Sequence, residues 1–392
     1  MKVERIEIFI TNLPSRYMRR TAGSSSDTGA SGDVMGKPIL VKIHAEGVIG
    51  YGQVRPTGRN HFLPDTSLSV LATIRDYYGP RLIGADLEDI ELLWADFDRI
   101  LPRNGAARAV LDYAIHDALG KKLGVPVHTL LGGRAQPVIP LEWSVSLADS
   151  HAELIVDCRR AIDEFGIKNL SLKAGGPDGW RADVEMVAAV RKAVGSDIIL
   201  GLDANMGWTV PEAIRALKAM LDYDISYVEQ PIPAHDMRGL ALVRQAVGGV
   251  DIIADEGIHD AHDVVAVAEA GAADAVCLKL VKVGGMHQAR KITAVAEACN
   301  LRVNLGGTAI MSQIEAAAIA HYYTSVPARS MLAGGEFVFG LGGVLKDPLV
   351  PETDFVIGRG EVAVPMGPGL GITIDESALA AHTLQKDAVK TR

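Results

Sequence analysis

The first sixty residues alternate apolar and polar side chains. VERIEIFIT and PILVKIHAEG read as half-buried strands of an antiparallel sheet, because a period of two puts alternate side chains on one face. Between them, RYMRRTAGSSSDTGASGDVMG has no hydrophobic period. Such a stretch is either disordered or a lid that orders over a ligand. From residue 67 the period lengthens to that of helices: SLSVLATIRDYY, LEDIELLWADFDRI and AARAVLDYAIHDALGKKLG. In the last of these, Ala106, Val110, Tyr113, Ala114 and Ala118 share a face, and Gly124 and Pro126 close the helix.

From residue 137 to about 340 the pattern alternates strand and helix. The candidate strands are VIPLEWSV, KNLSLKA, IILGLD, ISYVE, VDIIAD, AVCLKL, RVNL and a weak one near SMLAGGEFVF, with helical stretches such as DVEMVAAVRKAV between them. The fold class expected is α/β: a (β/α)7-8 TIM-type barrel with an N-terminal α+β capping domain. The capping domain is placed at 1–133, after which LLGG marks a turn. The barrel is placed at 134–365, and a Gly- and Pro-rich C-terminal segment at 366–392 packs back on the cap. A doubly wound sheet would need a Gly-rich phosphate loop after its first strand, and the sequence has none there.

Composition narrows the function. The chain has 392 residues, is 48 % apolar and 22 % charged, and carries a net charge of −9 with no basic run, so nucleic acid is not an expected partner. Cys158, Cys277 and Cys299 are few, odd in number and far apart, which argues against a disulfide framework or a zinc site. The N-terminus lacks an apolar signal core and no apolar stretch is long enough to span a membrane. The expectation is a cytoplasmic enzyme.

Three acids then stand out. Asp203 (GLDAN), Glu229 (YVEQP) and Asp255 (IIADE) end successive strand-like runs at intervals of 26 and 26 residues. That interval is one strand plus one helix, so in a barrel all three acids lie on one rim, at the C-terminal strand ends. Converging carboxylates need a cation, and oxygen ligands suit a hard divalent ion, Mg2+ above all, with Mn2+ next. Lys173 lies 30 residues before Asp203 and Lys279 lies 24 after Asp255, each at a strand end. The spacing sets the two amines on opposite sides of whatever the metal holds. A small-molecule carboxylate held there would lose the proton next to its carboxyl group more easily, as an enediolate. The base would be a lysine whose pKa falls from about 10.4 because it sits beside a cation and a second lysine.

These segments resemble the enolase superfamily, in its muconate-lactonising (muconate cycloisomerase / mandelate racemase-like) subgroup. The likeness runs through AVLDYAIHDALGKKLGVPVHTLLGG, the DAN, VEQP and ADE segments, CLKLVKVGGMHQARKI, NLGGTAIMSQIEAAAIAHYYTSVP and the GPGLGI tail. The resemblance implies Asp203, Glu229 and Asp255 as Mg2+ ligands and Lys173 and Lys279 as the acid/base pair, the metal-plus-lysine chemistry general to such sites. It places Asn205 in the metal's outer sphere, Glu336 in GGEF as the acid of the eighth strand, and homo-oligomers as the assembly. Two departures bear on substrate: Ser171-Leu172-Lys173 replaces the usual Lys-x-Lys, and Gln53 replaces the usual Glu. Ser171 is either a substrate contact or a packed hydroxyl. Gly307, in the GGT of 306–308, either holds an anion through backbone N–H groups or makes a tight turn. His259 is read as helix-capping or solvated, and Arg19, Arg20, Arg55 and His61 as solubilising groups. Specificity is expected in 15–36 and 53–64.

The leading functional expectation is racemisation or epimerisation of an amino acid or related acid, since an amine on each face can remove and return the proton. The same enolate could instead close a ring, as a cycloisomerase does, or expel a β-substituent, as a dehydratase does. A metal-free Schiff-base aldolase would leave the three acids without a role. A non-catalytic scaffold would leave both lysines unexplained.

Overall fold

The computed structural model describes residues 1–13, 19–20, 22, 25–26, 37–56, 63–307, 313–332, 348–350, 357–358 and 360–389. Strands β1 (Val3–Thr11), β2 (Ile39–Ala45) and β3 (Val48–Val54) form an antiparallel sheet with Ile6, Ile8, Ile10, Ile39, Val41 and Ile43 fully buried. A long helix, α1 (Gly105–Leu123), lies across β3. Its approach is possible because β3 carries Gly50 and Gly52. A Cβ on Gly50 would stand 2.0 Å from the Ala114 carbonyl oxygen, and one on Gly52 1.9 Å from that of Val110.

The sequence suggested one buried face for α1. In the structure every residue from Ala106 to Gly120 is buried, because the cap sheet covers one side and the barrel the other. The helix ends at Gly124, whose left-handed backbone (φ 68°) turns the chain away.

The second unit is a curled parallel sheet of seven strands: β4 (Glu142–Val145), β5 (Asn169–Lys173), β6 (Ile199–Asp203), β7 (Ile225–Glu229), β8 (Asp251–Ala254), β9 (Ala275–Cys277) and β10 (Arg302–Asn304), paired in chain order. Between them run the crossover helices α2 (His151–Phe165), α3 (Trp180–Val194), α4 (Val210–Met220), α5 (Met237–Ala246), α6 (Ala261–Ala270) and α7 (Met286–Ala298), and α8 (Gln313–Ser325) follows β10. Strands buried on both faces read as the short apolar runs seen in the sequence. At the eighth position Met331 makes a parallel bridge to Val303 of β10, and residues 333–339 of that candidate strand lie outside the described residues.

Two local readings change. VIPLEWSV divides, with Ile139–Pro140 pairing antiparallel to Glu361–Val362 before β4 joins the barrel. In the C-terminal tail, β11 (Thr383–Ala388) pairs antiparallel with β1 and becomes the edge of the cap sheet. Its side chains are largely exposed, so no hydrophobic period announced it. Among the described residues no helix is long and apolar enough to cross a membrane.

Candidate active site

The parallel register sets out the site. Lys173 pairs with Asp203 across β5 and β6, and Asp203 with Glu229 across β6 and β7. Glu229 pairs with Ile253, so Asp255 emerges just past the end of β8. Lys279 follows β9 and opens a single helical turn, Leu280–Val283. All five side chains come from C-terminal strand ends, and each of these residues is at most 5 % exposed. The five therefore share one rim, as their spacing along the chain predicts.

Their contacts are mutual. The Lys173 amine donates to Asp203 Oδ2. The Lys279 amine donates to Asp255 Oδ2 and, at 3.3 Å, to Glu229 Oε1. A third buried amine, Lys282, donates to Asp255 Oδ1 and to the Asp255 carbonyl oxygen. Burial alone would push the Asp255 carboxyl up, but the Lys279 and Lys282 amines hold it far below the ordinary carboxylate range. Removing either amine would leave the buried Asp255 carboxylate with one of its two counter-ions.

The strand ends are held by unusual backbone. Asn205 and Met206 after β6, and Gln230 after β7, adopt left-handed conformations (φ 42°, 63° and 34°). Non-glycine residues reach that region at a cost, which recurs where a site must be shaped. Here it lets the Asn205 N–H donate to Asp203 Oδ1 at 3.0 Å and Gln230 Oε1 accept the Asp255 N–H at 2.9 Å.

The residues present fit a hard divalent cation. Four buried carboxylates (Asp203, Glu229, Asp255, Glu256) face three buried amines (Lys173, Lys279, Lys282), a formal excess of one negative charge. The side-chain oxygen of Asn205 is buried and has no hydrogen-bond partner, as an acceptor awaiting a cation or its water would be. Among the described residues, Glu229, Asp255 and Cys277 bring one ligand atom each within 4.8 Å of one another. Asp203 stands outside that group, its carboxylate engaged by Lys173 and the Asn205 N–H.

The remaining candidates are scattered. Ser171 is buried between Ser144 of β4 and Gly201 of β6 in register. Gly307 follows β10, on the loop beyond Asn304, and Glu336 lies outside the described residues, as do His61 and Thr308. The backbone N–H of His259 donates to Asp263 at the start of α6, and the residue lines a cavity of about 820 Å³ between the cap and the barrel loops. Glu256 and Lys282 stand in the same wall, with Asp65, Arg103 and Arg108 opposite on the cap side. Arg55 requires a correction. It is buried rather than solubilising, and its backbone N–H donates to the buried carboxyl group of Glu315 on α8.

Sequence reasoning missed Lys282, Gln230, Glu256 and Cys277. The three-residue interval from Lys279 to Lys282, one turn of helix, could have shown the first. The others depend on which strand lies beside which.

The family described as enolase C-terminal domain-like matches residues 153–378, and the one described as mandelate racemase / muconate lactonizing enzyme, N-terminal domain, matches residues 31–132. A hydrophobic dipeptide epimerase of Enterococcus faecalis is 34 % identical over 285 residues, 72 % of this chain and 77 % of that protein. Muconate cycloisomerase 1 of Rhodococcus opacus is 30 % identical over 341 residues, 86 % of this chain and 88 % of the other. The crystal structure of an N-succinyl Arg/Lys racemase from Bacillus cereus superposes with a TM-score of 0.88 at 27 % identity, covering 100 % of both chains.

Proposed function

This chain belongs to the enolase superfamily, in its mandelate racemase/muconate-lactonising branch, and on that footing we propose that it is a racemase or epimerase acting next to the carboxylate of an amino acid or related small acid. The observation that carries the reading is the pair of buried amines, Lys173 and Lys279, set at strand ends on either side of three buried carboxylates. Asp203, Glu229 and Asp255 would hold Mg2+ or Mn2+. The bound ion would draw charge from the substrate carboxylate and so make the neighbouring C–H acidic. Lys173 would take the proton from one face, leaving an enediolate, and Lys279 would return a proton to the other face; the reverse reaction exchanges the roles. The cap, residues 1–133, would close over the mouth of the barrel, residues 134–365, with 366–392 bracing it, and exclude water from the carbanion. Homo-oligomer formation belongs to the same reading, and light scattering would measure it.

The epimerase and racemase names among the relatives support this choice, as does Ser171. With a hydroxyl in place of the subgroup's first lysine, the site has one cation fewer for a dianionic substrate such as muconate. Cycloisomerisation is the second reading, favoured by the relatives named muconate and chloromuconate cycloisomerases, which match over most of this chain. The deciding experiment is a D2O wash-in screen with Mg2+ over amino acids, N-acyl amino acids, cyclic imino acids and hydroxy acids, read by NMR and product mass. Deuterium at the α-carbon of both enantiomers, without mass loss and abolished by EDTA, is expected. Full retention of the original hydrogen across the screen, or exchange indifferent to EDTA, refutes the reading.

A further inference from the structure

Lys282 is fully buried, one helical turn beyond Lys279, and its amine ends on Asp255. The two lysines divide that carboxylate between them. Lys279 donates to Oδ2 and Lys282 to Oδ1, and Lys282 also donates to the Asp255 carbonyl oxygen. Two bonds from one amine to one residue fix both the backbone and the plane of its carboxylate. On the other side, Gln230 receives the Asp255 N–H. Oδ2 is thus the oxygen left on the side where Lys279 and Glu229 meet.

Lys282 is itself held by the cap. Its carbonyl oxygen lies against Gly105, the first residue of α1, where a Cβ would stand 2.1 Å away. The turn that carries it ends in two left-handed glycines, Gly284 and Gly285 (φ 92° and 98°). Just beyond, the N–H groups of Met286 and His287 donate to the two oxygens of Asp112 on α1, at 2.7 and 3.3 Å. An unbroken chain of contacts therefore runs from the capping helix through Lys282 to an acid on the barrel rim.

We propose that Lys282 is a positioning residue: it locks the Asp255 carboxylate so that Oδ2 faces the site, and α1 of the cap locks Lys282. The proposal rests on the reading of Asp255 as a metal ligand. The sign of one measurement separates it from a plain charge effect. A cation beside a divalent-ion site repels the ion, so removing it through space alone would tighten binding. Loss of a group that orients a ligand weakens binding instead, about 10- to 100-fold.

The experiment titrates Mn2+ alone into the full-length chain and its variants, with free ion read by electron paramagnetic resonance. Circular dichroism melts confirm that each variant is folded at the titration temperature. Lys282→Met, which keeps most of the apolar stem, is expected to weaken Mn2+ binding about 10- to 100-fold. Lys282→Gln, which keeps an N–H donor for Oδ1, is expected to recover part of that loss. Affinity unchanged or tightened in Lys282→Met, with wild-type binding intact, overturns the positioning role and leaves the metal reading standing. If Lys282→Met does not fold, Lys282→Gln decides: binding weaker than wild type supports the proposal, and equal or tighter binding overturns it. A wild-type chain that binds no Mn2+ overturns both readings together.

Discussion

Replacing either rim lysine with alanine should separate the two faces of the reaction. In Lys173→Ala, Asp203 Oδ2 loses its amine; in Lys279→Ala, Asp255 loses one of two amines and Glu229 loses its 3.3 Å contact. Two effects follow. Breaking a buried pair costs about 3–5 kcal/mol of stability, because a buried carboxylate loses a counter-ion; the cost is smaller in Lys279→Ala, where Lys282 still holds Asp255. A divalent ion bound by the same acids would offset part of that loss, so each variant's melting temperature should rise more on adding Mg2+ than the wild type's does. The kinetic effect is distinct. Positioned general acid/base groups contribute about 10²- to 10⁴-fold, or about 3–5 kcal/mol of barrier at 1.36 kcal/mol per decade. In D2O with a substrate found by screening, Lys173→Ala should lose wash-in from one enantiomer by that factor and keep it in the other, and Lys279→Ala should show the opposite preference. Equal losses from both enantiomers in both variants, or exchange within tenfold of wild type throughout, would refute the assignment of one amine to each face.

Three further outcomes test the scaffold. Gly52→Ala would drive a methyl to 1.9 Å from the Val110 carbonyl oxygen and part α1 from the cap sheet, destabilising by at least about 1–3 kcal/mol in denaturant unfolding. Gly248→Ala, whose Cβ would meet nothing within 4 Å, is the control and should change stability by less than about 0.5 kcal/mol. Burial raises the Glu315 carboxyl to about 8, with the Arg55 guanidinium as the opposing influence. The folded chain therefore keeps this proton where the unfolded chain has lost it. That stabilisation is complete below the unfolded value near 4.5 and is lost as pH rises to about 8, so the pH-dependent fall in melting temperature across that window should flatten in Glu315→Gln.

Much of the site was legible in the sequence because a barrel turns linear spacing into position. One strand plus one helix per repeat carries Lys173, Asp203, Glu229, Asp255 and Lys279 to the same rim, whatever the details of packing. The resemblance to the enolase superfamily includes these residues and extends through segments across nearly the whole chain. The cap was legible in its alternating strands and helical periods. The burial of α1 on all sides was not, since periodicity reports one apolar face and cannot say that a second layer will cover the other. Nor was β11, an edge strand of largely exposed residues that pairs along the open hydrogen-bonding edge of β1.

The amino-acid order by itself determined which residues carry charge and at which strand ends they emerge, because local periodicity and repeat length are properties of the chain alone. Only the tertiary structure decided how the buried polar groups are paired: Lys282 on Asp255, Cys277 beside Glu229, Asp203 with Lys173, the Arg55 N–H on Glu315. Those pairings depend on which strands and helices become neighbours. Once water is excluded, each buried charge must settle on the partner that the packing brings within reach.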